Sequence, residues 1–250
     1  MKRFALILIF CFTFLMVQSQ AWKYRRYEAW GALSAFQYYG DIGAVEDLQF
    51  LKGFNQVNFL INRPGFSLGM IYRYKERWYI QGSNSFGYFV QSDKNTSRNR
   101  ARNFAFSTII DEFSIQGLYF LTKESDKHFY NSIWNRRERG FKKIFQPISI
   151  YTFAGVGGAL FWVTPKESFV GSPRFVGNKH VAIAFPIGFG LKFAYSPSYS
   201  MSIEIGRRFT TTDFLDGFTS QYSKHNDVYY ILNFKATYRF EKSNRIHHRF

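Results

Sequence analysis

Residues 181–195 read Val181-Ala-Ile-Ala-Phe-Pro-Ile-Gly-Phe-Gly-Leu-Lys-Phe-Ala-Tyr195. Every odd position carries a large apolar side chain: Val181, Ile183, Phe185, Ile187, Phe189, Leu191, Phe193 and Tyr195. The even positions hold Ala182, Ala184, Pro186, Gly188, Gly190, Lys192 and Ala194. Successive side chains of a strand point to opposite faces, so a period of two held this long fixes a β-strand. One face is bulky and apolar, the other small or polar. The run is long for a soluble sandwich and suits a tilted strand that crosses a bilayer and continues past it.

Two further stretches repeat the pattern. In 66–75, Phe66, Leu68, Met70, Tyr72 and Tyr74 oppose Ser67, Gly69, Arg73 and Lys75, with Ile71 breaking the alternation. In 228–240, Val228, Tyr230, Leu232, Phe234, Ala236, Tyr238 and Phe240 oppose Asn233, Lys235, Thr237 and Arg239. Weaker strands at 27–38, 77–88, 111–121, 147–161 and 199–210 bring the set to about eight. The expected fold class is therefore all-β: an antiparallel transmembrane β-barrel of about eight strands. Closure is required because lipid cannot satisfy an open sheet edge. A soluble sandwich with the large face as its core is the competing arrangement.

Composition agrees. Aromatic residues make up 21% of the chain, the material of a lipid face and of interfacial girdles. Mean hydropathy is only −0.24, because alternation averages the apolar signal away. The longest later apolar stretch, Ile148 to Phe161, is too short and too rich in glycine for a transmembrane helix.

The beginning of the chain predicts export. Lys2 and Arg3 precede an apolar run from Phe4 to Met16, and Val17-Gln18-Ser19 and Ser19-Gln20-Ala21 supply small or neutral residues for cleavage. This reads as a signal peptide over 1–21, with the barrel over 22–240 and a basic tail over 241–250. Cys11, the single cysteine, lies inside the apolar run rather than closing it, which argues against lipidation. Its removal with the signal leaves no thiol for a disulfide or a metal.

Connections and charge follow a parity. Short turns at 75–77 and 196–198 alternate with longer loops at 39–65, 89–110, 162–181 and 211–226. Outer-membrane barrels keep short turns and both termini on the periplasmic side. The connection 122–146 breaks that rule by its length, and it contains Trp134-Asn-Arg-Arg-Glu-Arg139. The net charge is +16, and most of the excess falls on the periplasmic pieces 22–26, 75–77, 122–146 and 241–250. Such a field attracts acidic protein surfaces or anionic lipid. Its plainest use is a solvated collar at the head groups. An exported, membrane-embedded chain makes nucleic acid a poor partner.

Chemistry is sparse. Gly155-Val-Gly-Gly158 resembles a dinucleotide loop, but no helix pattern follows, and glycine in barrel strands marks bends. His180 and His225 fall in loops, His128 and the tail histidines elsewhere, and none shares a strand face with Ser or a carboxylate. No catalytic, cofactor-binding or metal-binding residues are assigned, and a non-enzyme is expected. Glu112 and Glu204 are expected to point inward as partners of Arg73, Arg208 and Arg239. Asp213 and Asp216 are candidates for a cation, although capping a tight turn is their more ordinary use.

Several segments together resemble the PorG-like outer-membrane component of the type IX secretion system. They are Tyr27-Glu-Ala-Trp-Gly31 with Tyr38-Tyr-Gly-Asp41, Arg63-Pro-Gly-Phe66 leading into Tyr72-Arg-Tyr74, Gln146-Pro147, and Phe153-Ala-Gly-Val-Gly157. To these are added Phe185-Pro-Ile-Gly-Phe-Gly-Leu-Lys192, the motif Glu204-Ile-Gly206-Arg-Arg208, then Thr212-Asp213-Phe-Leu215-Asp216, and finally Tyr222, Asn226-Asp227 and Tyr229. Order and spacing match over nearly the whole length after the signal. Ile148 stands where the family usually has tyrosine, and the 122–146 connection is longer than usual. The resemblance implies a non-enzymatic subunit in outer-membrane lipid, associated with a periplasmic ring of PorK-like lipoprotein and PorN-like protein. Arg136, Arg137, Arg139, Lys142 and Lys143 are the expected contact. The competing functions are a general small barrel for adhesion or membrane integrity, a lipid-active enzyme, and a soluble lipocalin-like barrel.

Overall fold

The computed structural model describes residues 25–43, 63–95, 99–122, 124, 148–177, 179–196, 198–218 and 226–240. The expected signal peptide, the basic tail and the five cations from Arg136 to Lys143 lie outside these residues, as do His128, Tyr222 and His225.

Eight strands follow one another along the chain: β1 (Tyr27–Tyr39), β2 (Arg63–Arg73), β3 (Trp78–Ser92), β4 (Phe104–Phe120), β5 (Ile148–Glu167), β6 (Val181–Ala194), β7 (Tyr199–Thr210) and β8 (Val228–Arg239). Each pairs antiparallel with the next, and β8 closes on β1. A path across the paired residues from Tyr27 passes Tyr72, Ile80, Gly117, Ala154, Ile187, Arg207 and Tyr230. It returns to β1 at Gln37, ten residues farther on. A stagger of that size tilts the strands by roughly 40°.

The alternation is turned inside out relative to a soluble protein. Leu33 is 76% exposed and Val181 68%, whereas Glu112, Glu204 and Arg208 are at most 1% exposed. The large apolar face is thus no core, which rules out the sandwich and a lipocalin-like interior. The outward face carries lipid-facing side chains along all eight strands. At the end holding the short turns, aromatic residues pair across strands: Tyr27 with Tyr72, Trp78 with Tyr119, and Tyr199 with Tyr238, at ring separations of 4.8 to 5.2 Å. An apolar band bounded by such a girdle on a closed barrel is the construction of the bacterial outer membrane. The protein is an outer-membrane β-barrel.

Several strands run farther than the alternation predicts. β4 begins at Phe104 rather than 111, β5 continues to Glu167 rather than 161, and β3 reaches Ser92. Beyond the lipid the outward face need not be apolar, so Ser107, Thr164 and Lys166 continue strands whose hydrophobic pattern has already ended. β2 is displaced the other way, spanning Arg63–Arg73, and Tyr74 and Lys75 belong to the turn. Ile71 faces inward, where it joins an aromatic cluster. Gly155 and Gly157 sit within β5 rather than in a phosphate loop. A Cβ at Gly155 would lie 2.2 Å from the Ile115 carbonyl oxygen, so these glycines permit close passage of β4.

Candidate functional site

An eight-stranded barrel is too narrow for an aqueous channel unless its side chains are small. Here they are large, and they divide the lumen into zones. The outer end bears the β1–β2, β3–β4, β5–β6 and β7–β8 connections; the periplasmic end bears the short turns and the β4–β5 connection.

At the outer end, Phe36, Phe89, Phe106, Phe161 and Tyr229 point in from the strands and meet Ile42, Phe169, Leu215 and Phe218 from the connections. Tyr38 stacks on Phe89 at 5.3 Å and meets the edge of Phe106 at 5.1 Å. Two carboxylates lie within this apolar seal. Asp227 accepts the Tyr38 hydroxyl at 2.6 Å and the Leu215 N–H at 2.8 Å. Asp216 accepts the Phe218 N–H at 2.8 Å and the Ile42 N–H at 3.3 Å. The Thr108 hydroxyl donates to the Leu215 carbonyl at 2.6 Å. The 211–218 segment is thereby folded into the barrel mouth as a plug. Burial pushes the Asp216 carboxyl up to about 7, with the Asp41 and Asp213 charges adding to it against the bonds from Phe218 and Tyr38. Asp227 is also raised, by burial and then by the Asp216 charge.

The middle of the lumen is polar. The Ser34 hydroxyl reaches Asn233 Oδ1 and the Ser67 hydroxyl, both at 2.7 Å, and Ser67 donates to Ser85 at 2.9 Å. Lys235 forms a short ion pair with Glu204, donates to Gln81 at 3.0 Å, and lies 4.1 Å above the Trp30 ring. Glu204 also accepts the Tyr151 hydroxyl at 3.1 Å.

The periplasmic end is a buried ion cluster. Lys192 meets Glu28 at 2.7 Å and Glu124 at 3.1 Å; Arg239 meets Glu28 at 2.7 Å and also pairs with Glu124. Arg73 lies 3.9 Å from Glu124, whose carboxylate accepts the Tyr79 hydroxyl at 3.0 Å. Burial alone would raise the Glu124 carboxyl, but Lys192, Arg239 and Arg73 together hold it well below its usual range. Glu124 itself comes from the β4–β5 connection and is held inside the barrel mouth by these cations.

The expected inward carboxylates are inward, but their partners need correction. Glu112 does pair with Arg208, at 3.4 Å, and accepts the Tyr229 hydroxyl at 2.6 Å. Glu204 pairs with Lys235 instead of an arginine, because strand pairing puts Lys235 diagonally opposite it on β8. Arg73 and Arg239 lie at the periplasmic mouth and reach Glu28 and Glu124, neither of which was singled out for this role. The pairing of Glu28 with Arg239 across β1 and β8 is the signal that could have shown it. The motif residues fall into two places. Glu204, Gly206 and Arg208 line the lumen on β7, with Arg208 Nη1 donating to the Gly206 carbonyl at 2.7 Å. Thr212, Asp213, Leu215 and Asp216 belong to the plug. Asp216 there caps its own turn, and among the described residues no group of three or more His, Cys, Asp or Glu could hold a metal ion. His180, the one histidine among the described residues, lies with Nδ1 3.1 Å from the Phe161 carbonyl oxygen.

No protein-family model matches the chain, and no curated protein matches it. Solved structures similar to it are outer-membrane proteins. The attachment invasion locus protein Ail of Yersinia pestis is 12% identical with a TM-score of 0.41, covering 86% of this chain and 97% of Ail. OprG of Pseudomonas aeruginosa is 7% identical with a TM-score of 0.44, covering 87% of this chain and 96% of OprG. The outer-membrane enzyme PagL is 13% identical with a TM-score of 0.32, covering 86% of this chain and 99% of PagL. At such identities and TM-scores below 0.5, they carry no argument about what the chain does.

Proposed function

We propose that this protein is a non-enzymatic outer-membrane barrel that acts through its surfaces rather than by passing anything through its lumen. The observation that carries this reading is the double closure: an apolar plug at the outer mouth and an ion cluster at the periplasmic mouth. In its general form, a small barrel serving adhesion or membrane integrity, the reading needs nothing more.

A more specific form is a subunit of the type IX secretion machinery that docks onto a periplasmic ring. Two features support it: the motif resemblance along the chain, and the excess of positive charge that the sequence carries in the pieces expected on the periplasmic side. Glu124, held at the periplasmic mouth by Lys192 and Arg239, belongs in the sequence to the same connection as Arg136, Arg137, Arg139, Lys142 and Lys143. The test is a crosslinked pull-down from detergent-solubilised outer membranes, with co-purifying proteins identified by mass. Recovery of a ring lipoprotein and its partner, lost when the five cations become Gln, supports the secretion subunit. A barrel recovered without ring proteins removes that form and leaves the general one.

A further inference from the structure

Among the described residues, two charged side chains, Asp111 and Arg207, stand on the lipid-facing surface, where the outward positions are otherwise largely apolar. Asp111 on β4 is paired across the sheet with Phe86 on β3 and Leu160 on β5. Its outward neighbours along β4 are Ile109 and Phe113, exposed at 48% and 60%. The carboxylate is therefore ringed by lipid-facing apolar groups. It accepts one bond, at 2.5 Å, from the Asn84 side-chain amide, which faces the same way. Arg207 on β7 has the same kind of setting, paired across the sheet with Ile187 and Tyr230 and held over the rings of Phe209 and Tyr230 at 4.6 and 5.7 Å.

Charge exposed to lipid is costly and is kept where something meets it. Beside Asp111 the wall is also recessed. Gly82 faces outward with open space where a Cβ would be, and a notch of about 690 Å³ opens there between Leu68, Met70, Asn84, Phe113, Ile115 and Val156. Small residues that let another transmembrane surface approach closely are the usual means of association in lipid, where the hydrophobic effect offers none.

We infer that the barrel associates laterally with a second copy of itself, Asp111 of one copy meeting Arg207 of the next. The two charges are opposite in sign and both lie in the outer half of the wall: Arg207 is three residues from the outer end of β7, and Asp111 lies on the outward side of the middle of β4. They occupy different strands, so the contact is head-to-tail, each copy presenting a carboxylate on one side and a guanidinium on another. This stands independently of the periplasmic docking reading.

The experiment uses the full chain in native outer membranes, with L160C beside Asp111 in one copy and I205C beside Arg207 in another, under oxidising conditions. L160C should crosslink to I205C and not to itself. D111R should lower the yield about tenfold or more, since it sets like charges together. Combining D111R with R207D in the same chain should restore it. D111N, which keeps the shape and removes the charge, guards against a folding defect, as does the gel shift of the heat-denatured barrel. Absent crosslinks, L160C crosslinks to itself, adducts with a different protein, or a yield indifferent to D111R would each overturn the inference.

Discussion

The two ends of the lumen close the same barrel by opposite physics. At the outer mouth the seal is aromatic and aliphatic, and its two carboxylates, Asp216 and Asp227, face neighbours that do not compensate a negative charge. At the periplasmic mouth the seal is ionic: Glu28 and Glu124 are surrounded by Lys192, Arg239 and Arg73. The difference teaches that burial alone does not decide how a carboxylate behaves. Asp216 and Glu124 are both almost fully buried, yet one is pushed up and the other down, because only the second has cations beside it.

The largest expected effect is at the ionic end. Glu28→Ala leaves Lys192 and Arg239 buried with a single remaining carboxylate. Removing one partner of a buried ion pair costs about 3–5 kcal/mol. A lower midpoint of urea unfolding in lipid vesicles would register it; an unchanged midpoint would mean that water enters the cluster and solvates the cations. At the apolar end, Leu215→Ala should cost about 2–3 kcal/mol, the low end for a buried leucine because a plug at the rim can collapse onto the gap. That loss should appear as faster amide exchange at Leu215 and Phe218 while the strands stay protected.

The pH dependences should run in opposite directions. An unfolded Asp216 releases its proton near 3.8, whereas in the folded plug it does so at about 7. The folded state therefore holds the extra proton between those values, and plug stability falls as pH rises through that window. Glu124 is shifted down from 4.5. Its contribution is complete above that value and is lost as pH falls below it. Amide exchange, corrected for its intrinsic pH dependence, should show the plug loosening as pH rises from 4.5 to about 7, with the periplasmic mouth unchanged across that range. Asp216→Asn should weaken the plug's response, leaving the part that buried Asp227 supplies. A plug that tightens with rising pH would reverse the sign argued here.

How much of this was legible in the sequence differs between wall and lumen. The wall was legible, because lipid imposes a strict period of two on Val181–Ala194 and on β8. Strand ends were not, since Ser107 and Lys166 have left the lipid and are free of the pattern. Inward parity placed Glu112, Glu204 and Arg208 correctly, but it says nothing of height in the barrel. Height decides that Glu204 meets Lys235 while Arg239 meets Glu28, and it depends on the ten-residue stagger, which no single strand reveals. Asp111 and Arg207 were readable as outward by the same parity. Glu124 was not, because it belongs to a connection without periodicity.

The smallest effect isolates burial from pairing. Lys94 and Glu167 form an ion pair at 2.6 Å on the outer rim, about as close as Lys192 and Glu28 at 2.7 Å, but the side chains are 60% and 30% exposed instead of 5% and 1%. Water already solvates both partners at the rim, so breaking the pair strands no buried charge. Lys94→Ala should therefore change stability by less than about 0.5 kcal/mol, and less still at high salt. If it cost as much as Glu28→Ala, distance rather than burial would set the strength of these pairs, and the contrast drawn between the two mouths would lose its physical basis.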